Sequence, residues 1–332
     1  KRLAKNGVDI TIITRNNGKT NFNEKLNFKV KTIGKKSTPL NNISRLFFLI
    51  QAFFYLYKNN FDLIHLHAFL PGLLAPLIHL FIKKPVIITI HGTRMFEKNQ
   101  KNSVDFLLEK LILTKIKYEL QISVTQAFLK IKNLNKRQIC IPNGIDIEEF
   151  RRIKVKKSIN PKILWVGRFD PIKKVDVLLH AMKFVNKRIP KAQLTLVGYG
   201  QEENNLKKLS KKIGLKNVFF TGQKTGDHLI KEYKSAHLFV LPSSSEGQPI
   251  SILEAKAAGL PVVASKVGGI SELLENSKTD KLISPDSVKD LYEAIETLLV
   301  SKKNKKSKNI HLHSWDEVAA KTLNAYKSTI FN

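Results

Sequence analysis

The sequence predicts an α/β protein made of two doubly wound units, each with a parallel sheet. Apolar, β-branched runs alternate with helical patterns along the whole 332-residue chain. Because strands that are apolar throughout need cover on both faces, this alternation is typical of parallel sheets flanked by helices. A chain of this length exceeds what one hydrophobic core normally holds, so we expect two Rossmann-like units facing a cleft, where ligands bind at strand carboxyl ends.

The first predicted unit, residues 1–150, opens inside an element. "KRLAKNG" is typical of the last turns of a helix that ends at Gly7, and the strand "VDITIIT" follows. Since a doubly wound unit should begin with a strand, we expect that a first strand, its loop and most of a helix are missing before Lys1. Further strands are predicted at 61–67, 85–91 and 118–124, with a helix at 103–117.

The second predicted unit, residues 151–310, repeats this rhythm. Strands are predicted at 162–168, 192–198, 217–222, 236–242 and 261–265, and helices at 175–187, 202–213, 227–234 and 250–258. The two series meet near "IPNGIDIEEF" and the basic stretch "RRIKVKK", which together predict the boundary between the units.

The composition is strongly basic. Lysine and arginine number 57 against 27 acidic residues, which gives a formal net charge of +30. This excess favours anionic partners, and small clusters occur at 151–157 and 302–308. General compositional bias and proximity to an acidic membrane surface both explain it. The sequence has no zinc-finger, helix-turn-helix or RNA-recognition signature, so nucleic acid is not expected as a partner.

One apolar segment and one cysteine bear on where the protein works. The segment "ISRLFFLIQAFFYLYK", residues 43–58, falls short of the roughly 18 apolar residues needed to span a bilayer. We interpret it first as a helix packed within its unit, and alternatively as a helix dipped into a membrane surface. Cys140 is the single cysteine, which rules out an intramolecular disulfide and is typical of a buried thiol in a reducing compartment.

Two glutamates distinguish the stretch "SSSEGQPISILEAKAAGLPVVAS". A strand ends in a Ser/Gly loop that carries Glu246, and a helix follows with Pro249 at its first position. Glu254 lies roughly one to two turns into that helix, so both carboxylates can face one cleft. A carboxylate can accept two hydroxyl hydrogen bonds from a sugar, and a helix start can bind a diphosphate. Spacing alone fits two exposed surface acids equally well.

Basic and histidine side chains follow other predicted strands. Arg168 and Lys173 come after "ILWVG", where they are placed to bind phosphate oxygens, although solvated basic residues would show the same pattern. His91 follows "VIITI", and a histidine at a strand end can bind a sugar hydroxyl or a phosphate. His65 and His67 share one strand face, but no third ligand lies at metal spacing, so no metal site is predicted.

Glycine-rich stretches give weaker signals. "LVGYGQEE" lacks the third glycine of a dinucleotide fingerprint, although Gly198 still allows a close approach of the backbone to a ligand. The pair Gly268 and Gly269 precedes a helix, and a tight turn is sufficient to explain it.

Taken together, these stretches resemble glycosyltransferase family 4, the retaining enzymes of the GT-B fold. "SSSEGQPISILEAKAAGLPVVASKVGGISELLE" is similar to the family's E-x7-E block. "DLIHLH", "ITIHGT", "CIPNGIDIEEF", "ILWVGRFDPIKKVDVLLHAM", "LTLVGYGQEENNL" and "SWDEVAAKTLNAY" fall in the family's order. The resemblance covers almost the whole chain. It implies a UDP- or GDP-linked sugar bound by the second unit, an acceptor bound by the first, and a last helix within residues 311–332 that crosses back onto the first unit.

The resemblance also implies roles for single residues. Arg168 and Lys173 would hold the diphosphate and neutralise the leaving group, while Glu254 would bind the ribose and Glu246 the donor sugar. His91 would reach the donor from the first unit. Further donor contacts are implied for Gly198, Gly247, Ile250 and Ser251, and weaker acceptor contacts for His67 and Asn143. No metal or cofactor besides the nucleotide sugar is expected, because basic side chains take over the metal's role.

Three departures from the family pattern are visible. Pro249 stands where many relatives have glycine, and it removes one N–H group from the helix start. Asp280 and Lys281 stand where a glycine is common, which we expect to alter a turn and not the chemistry. The family's first strand ends in a glycine-rich loop beside donor and acceptor. A chain without that loop is therefore expected to be inactive by itself.

We therefore expect a metal-independent, retaining hexosyltransferase that acts on a glycan or lipid-linked acceptor in cell-surface polysaccharide or glycoconjugate synthesis. The protein would be cytoplasmic and peripheral on the inner face of the membrane. One rival is a GT-B sugar-nucleotide epimerase, which would need acid/base carboxylates that the first unit does not obviously offer. The other is a non-catalytic basic membrane-binding module, for which acidic residues in the cleft would bring no gain.

Overall fold

Three parallel sheets organise the part of the chain that the structure describes. This computed structural model describes residues 1–15, 27–34, 42–93, 104–131, 134, 135, 137–275, 277–300 and 311–331. Each strand pairs in parallel with its neighbours. The basic cluster at 302–308 and the start of the helix predicted at 103–117 lie outside the described residues.

The first half of the fold, which holds strands β1 to β6, contains two of the sheets. α1 (Arg2–Lys5) precedes β1 (Thr11–Arg15), which pairs with β2 (Lys29–Ile33). The second sheet has the order β3-β4-β5-β6, with strands at Ile64–His67, Val86–Ile90, Leu120–Ser123 and Gln138–Cys140. The helices are α2 (Asn42–Lys58), a 3₁₀-helix (Leu70–Leu74) continued by α3 (Ala75–Leu77) and a π-helix (Ile78–Ile82), α4 (Val104–Lys115), α5 (Gln126–Leu129) and α6 (Ile147–Arg152).

The second half, which holds β7 to β12, forms one six-stranded sheet. Its order is β12-β11-β10-β7-β8-β9. The strands are β7 (Lys162–Arg168), β8 (Gln193–Tyr199), β9 (Val218–Phe220), β10 (Leu238–Leu241), β11 (Val262–Ser265) and β12 (Lys281–Ile283). The helices are α7 (Val175–Arg188), α8 (Glu203–Lys212), α9 (Gly226–Ser235), α10 (Ile250–Ala257), α11 (Gly268–Leu274) and α12 (Val288–Val300). From β7 the chain continues to its neighbour β8, and from β10 it continues to β11, towards the other edge of the sheet. This is the point at which the strand order reverses, so a ligand crevice is expected between the carboxyl ends of β7 and β10.

Apolar strands build the core and fix the last helix. β4, "VIITI", and β10, "LFVL", are buried at every position, as strands covered on both faces must be. α13 (Trp315–Ile330) starts with a capping box between Ser314 and Glu317. Ala325 of this helix packs in one apolar cluster with Leu120 and Ile122 of β5. The last helix therefore lies against a sheet of the first half.

Helix α2 has two apolar sides. Leu49, Ala52 and Leu56 are buried in the core of the first half. A second set of large apolar residues on the same helix, including Phe47 and Phe54, is exposed. The interpretation as a packed helix is therefore confirmed for one side only. Among the described residues, no helix is long and apolar enough to cross a membrane.

The α/β fold with parallel sheets is confirmed, and the strand predictions hold to within a few residues at each end. Helix α12 and the helical stretch from Leu70 to Ile82 were not predicted. Cys140 is half-buried and not fully buried as expected, and partial burial raises the pKa of its thiol to about 11. The division at residues 150 and 310 stays a prediction.

Asp280 has a role that the sequence interpretation missed. Its carboxylate forms an ion pair with Lys256 at 2.6 Å, with side-chain exposures of 0% and 2% respectively. The same carboxylate accepts a hydrogen bond from the backbone N–H of Val262 at 2.8 Å, at the start of β11. Asp280 therefore does more than alter a turn, because it joins α10 to the sheet through a buried charge pair.

Candidate functional site

Glu246 and Lys173 meet at the crevice between β7 and β10. Lys173 ends a short 3₁₀-helix after β7, which Asp170 caps, and Glu246 lies in the loop after β10. Lys173 Nζ lies 2.6 Å from Glu246 Oε1, and the Ser243 hydroxyl donates to the same oxygen at 2.7 Å. Both charged side chains are mostly buried. The structure thus brings together two of the residues predicted for the site, one cationic and one anionic.

The Glu246 loop touches the first half through Gly247. A Cβ atom on Gly247 would lie 1.8 Å from the carbonyl oxygen of His91, so only glycine permits this approach. On its other side, Gly268 would place a Cβ atom 2.0 Å from the Glu246 carbonyl oxygen. His91 follows β4, so the end of a first-half strand faces the loop that carries Glu246. The two halves are therefore in close contact beside His91 and Gly247.

The start of α10 has backbone N–H groups of the kind that can bind an anion. The helix begins at Ile250, with Pro249 as its N-cap rather than its first residue, which corrects the predicted position by one. The backbone hydrogen bonds of the helix start with Ile252 N–H donating to the Pro249 carbonyl oxygen at 3.1 Å. No side chain caps this described helix start, which leaves the N–H groups of Ile250 and Ser251 able to donate to an anion.

Glu254 lies deeper in α10, where a second-half tyrosine holds it. The Tyr233 hydroxyl on α9 donates to Glu254 Oε2 at 2.7 Å. Burial raises the pKa of Glu254, and the hydrogen bond from Tyr233 opposes that rise. One carboxylate oxygen is thereby fixed, which leaves the other to accept a ligand hydroxyl. The role of Tyr233 has no motif of its own and was missed.

Unlike Lys173 and Glu246, Arg168 has an exposed side chain, and Gly198 lies within a strand. Arg168 ends β7, and its side chain is largely exposed, 3.7 Å from Asp170 Oδ2. Gly198 lies within β8, where a Cβ atom would come within 1.8 Å of the Gly167 carbonyl oxygen. Close packing of β8 on β7 is thus a sufficient reason for this glycine. Its contact with a donor stays a prediction.

A cluster of three histidines lines the first-half side of the cleft. His67 Nδ1 lies 2.9 Å from His91 Nε2, and the two rings stack. His65 forms hydrogen bonds through Nε2 to Thr89 Oγ1 at 2.6 Å and through Nδ1 to the Tyr326 hydroxyl of α13 at 2.7 Å. Burial lowers the pKa of His65, and so, to a smaller extent, do the neighbouring His67 and His91. Burial and the neighbouring His91 lower the pKa of His67 to about 4. Burial also lowers the pKa of His91. The imidazoles are therefore neutral near pH 7.

Two contacts between the halves involve residues that sequence reasoning missed. Gln248 accepts a hydrogen bond from Asn143 N–H through its side chain, and Asn143 Nδ2 donates to the Gln248 carbonyl oxygen at 2.9 Å. Glu272 on α11 accepts hydrogen bonds from the Thr125 hydroxyl and from Ala127 N–H at the start of α5. Asn143 therefore bonds to the loop next to Gly247, and its contact with the acceptor stays a prediction.

One group of side chains among the described residues has metal-binding geometry, and none of its members is among the predicted site residues. His311, His313 and Glu317 bring their ligand atoms within 4.8 Å of one another at the start of α13. Glu317 is already committed to the capping box and to His313. The expectation of a metal-free cleft stays a prediction.

Two family models match the chain, one to each half. The model described as "Glycosyl transferases group 1" matches residues 146–311, and "Glycosyl transferase 4-like" matches residues 1–125. The first spans the loop of Glu246, α10, Arg168 and Lys173, and the second spans the histidine cluster. Both halves of the cleft therefore lie in sequence typical of glycosyltransferases.

Three individual proteins are similar over most of the chain. A UDP-Gal:α-D-GlcNAc-diphosphoundecaprenol α-1,3-galactosyltransferase of Escherichia coli is 28% identical over 275 residues, which is 74% of this chain and 68% of that protein. The structure of sucrose-phosphate synthase from Thermosynechococcus elongatus superposes with a TM-score of 0.84 at 23% identity, covering 98% of this chain and 90% of that one. HepE of Anabaena, in complex with UDP and glucose, gives a TM-score of 0.73 at 19% identity, covering 91% of this chain and 87% of that one. The structural likenesses establish the GT-B fold.

Proposed function

Because the chain belongs to the group 1 glycosyl transferases, and so is a glycosyltransferase of the GT-B fold, we propose that it moves a hexose-type sugar from a UDP- or GDP-linked donor to a glycan or lipid-linked acceptor. The galactosyltransferase of E. coli acts on a diphosphoundecaprenol-linked sugar, as its name states, which supports a lipid-linked acceptor. The comparisons do not support the epimerase or the non-catalytic module. Retention at the anomeric carbon and a role in cell-surface glycan synthesis are part of the proposal.

The observation that carries the proposal is the pairing of Lys173 with Glu246 at 2.6 Å beside the start of α10. A departing nucleotide diphosphate gains negative charge on its phosphate oxygens, and stabilising that charge is the largest demand of the reaction. Lys173, Arg168 and the N–H groups of Ile250 and Ser251 supply positive charge and donors along one edge of the crevice. This cationic edge repels a metal ion, so we propose that transfer is independent of metal.

The carboxylates and the histidine complete the proposed donor site. Glu254, with one oxygen held by Tyr233, accepts hydrogen bonds from the ribose hydroxyls through the other. Glu246 faces the donor sugar, where its fixed carboxylate orients the hydroxyl groups. His91 approaches the sugar from the first half, and His67 supports its ring. Gly247 and Gly198 belong to the proposed donor contacts, while His67 borders the acceptor side.

The proposed setting is the cytoplasmic face of a membrane, with the protein bound peripherally. A net charge of +30 supports attraction to an anionic surface. A lipid-linked acceptor would lie in that surface, so binding there would raise the local acceptor concentration.

Sugar transfer by crevice variants of the full-length protein tests the proposal. We expect Lys173→Ala and Glu246→Gln each to lower kcat/KM by about 10²–10³-fold, because each removes a fixed charge that faces the reacting bond. Lys207→Ala is the matched control, since Lys207 forms an exposed ion pair with Glu203 on α8 at the similar distance of 2.7 Å. Thermal unfolding of each variant reports whether the fold is kept. Transfer within twofold of the unaltered protein in both crevice variants would refute the site.

A further inference from the structure

An exposed apolar ridge crosses two neighbouring helical segments of the first half. It consists of nine large apolar side chains that are between 41% and 66% exposed: Ile43, Leu46, Phe47, Ile50, Phe54 and Tyr57 of α2, and Leu77, Leu80 and Phe81 of the adjoining α3 and π-helix. Their spacing of three and four residues places each set on one side of its helix. Monomeric soluble proteins rarely leave so many neighbouring apolar side chains in water.

The two segments form one continuous surface. Phe53 lies between them, with its ring centroid 6.0 Å from Phe81 on the π-helix and 5.9 Å from Phe54 on α2. The ring of Tyr57 stacks on Phe53 at 6.3 Å. The exposed aromatic residues of both segments are thus linked through one shared ring.

The charges around the ridge decide between its possible occupants. From residue 42 to residue 84 the sequence contains one acidic residue, Asp62, whereas Arg45, Lys58, Lys83 and Lys84 are basic. An apolar surface bordered by cations fits an anionic lipid bilayer, which accepts the apolar side chains between its acyl chains and binds the cations at its headgroups. A second copy of the chain is a poor partner, because two molecules of +30 charge repel each other.

A basic hollow at the edge of the ridge is suited to a lipid headgroup. Lys31, Gln51, Tyr55 and Lys58 are among the residues that line it, and its volume is about 340 Å³. Phe54 of the ridge also lines the hollow. Lys31 Nζ lies 5.7 Å from the centre of the Tyr55 ring, which holds that ammonium group above α2. Two lysines beside an apolar surface are placed to contact a lipid phosphate.

We propose that the ridge docks the protein flat onto an anionic bilayer, with Lys31 and Lys58 at the lipid phosphates. The ridge belongs to the half that is expected to bind the acceptor, so docking presents that half to the membrane. The inference rests on the proposed function in one respect only: the purpose that docking would serve, which is to reach a lipid-linked acceptor. Binding to vesicles requires neither donor nor transfer.

Vesicle flotation of the full chain without nucleotide tests the docking. We expect partitioning onto phosphatidylglycerol-containing vesicles to exceed that onto pure phosphatidylcholine by tenfold or more. Phe47→Ser with Leu80→Ser should lower partitioning at least about tenfold, because burying either side chain in an apolar medium is strongly favourable. Lys31→Gln with Lys58→Gln should reduce the preference for phosphatidylglycerol and leave binding to phosphatidylcholine unchanged.

The matched control removes two exposed apolar side chains from the second half. Ile159 and Val300 are 101% and 62% exposed, against 61% for Phe47 and 65% for Leu80. We expect Ile159→Ser with Val300→Ser to keep full partitioning. Equal binding by the ridge variant and the control would overturn the proposal. So would a dimer of the unaltered chain that the ridge variant abolishes, because a second copy would then cover the ridge. Lys173→Ala, which should lower sugar transfer, should leave vesicle binding unchanged. The docking test can therefore fail or succeed independently of the test of the transferase site.

Discussion

The two halves of the molecule follow the same strand-and-helix plan but differ in their buried ion pairs and in their exposed apolar surface. The second half buries charges in pairs, with Lys256 on Asp280 and Lys162 on Glu232, each at 2.6 Å. The first half leaves a ridge of large apolar side chains exposed on α2 and the π-helix. At the cleft, the second half offers fixed cations and carboxylates, whereas the first half offers neutral imidazoles.

This contrast matches two different tasks. A donor with a diphosphate needs charges held at fixed positions before it binds, because preorganised groups cost no reorganisation during the reaction. Buried ion pairs and tyrosine–carboxylate bonds hold them there. A lipid-linked acceptor needs a surface that tolerates lipid, and an exposed apolar ridge provides it. Under the proposed function, the second half therefore binds the charged donor and the first half meets the lipid-linked acceptor.

The largest expected effect comes from breaking a buried charge pair of the second half. Lys256→Met leaves the Asp280 carboxylate buried with only the Val262 N–H as partner. We expect the free energy of unfolding to fall by about 3–5 kcal/mol, since an uncompensated buried charge is strongly unfavourable. Urea unfolding measures this loss.

Two further variants sharpen that result. Lys207→Ala breaks the exposed pair with Glu203 and should change the free energy of unfolding by no more than about 0.5 kcal/mol. The double variant Lys256→Met with Asp280→Asn should recover part of the loss, because it removes both charges. A single variant at Lys256 as stable as the Lys207 control would show that the buried pair does not organise the second half.

The next effect comes from the point where the halves touch. Gly247→Ala would place a Cβ atom 1.8 Å from the His91 carbonyl oxygen, an overlap that backbone atoms cannot relieve without moving apart. We expect a loss of about 1–3 kcal/mol in the free energy of unfolding. Transfer activity should fall as well, because the Glu246 loop moves.

Gly92→Ala is the matched control at the same contact. Its Cβ atom would lie 3.9 Å from the Gly247 nitrogen, an ordinary van der Waals distance. We expect that variant to unfold like the unaltered protein. If both alanine variants proved equally stable, the close approach of the halves at His91 would be wrong.

Some of this organisation was predictable from sequence, for a physical reason. β10 and the helix after Pro249 were predicted because apolar strands and helix boundaries leave local patterns that one segment carries alone. The positions of Glu246 and Lys173 followed, since parallel strands bring their carboxyl ends to one edge. Their direct pairing did not follow, because it depends on the order of β7 and β10 in the sheet.

The missed features are those that depend on two distant segments. Gln248 was overlooked because its partner, Asn143, lies in the other half of the cleft. The sequence does not distinguish Tyr233 from any other buried aromatic residue. Only the structure shows that its hydroxyl donates a hydrogen bond to Glu254. The two apolar sides of α2 were both visible in the sequence, but only packing shows which one is covered.

The smallest expected effect is a loss of stability at acid pH that originates in the first half. The pKa of His67 is lowered to about 4 by burial and by the neighbouring His91, against 6.5 in the unfolded chain. Between those values the folded protein binds fewer protons than the unfolded chain, so stability falls as the pH drops from 6.5 towards 4. We expect the midpoint of thermal unfolding to decline over this range, and His67→Gln to make the decline shallower.

The exposed His180 of α7 serves as the control for this comparison, because it lies outside the cluster. His180→Gln should keep the full acid-induced decline. His65 should contribute in the same direction as His67, since burial and the neighbouring His67 and His91 also lower the pKa of its ring. The cluster joins α13 to His91, so protonation would loosen the last helix and the cleft together. A decline that is identical in the His67 and His180 variants would show that His67 does not contribute to the acid sensitivity.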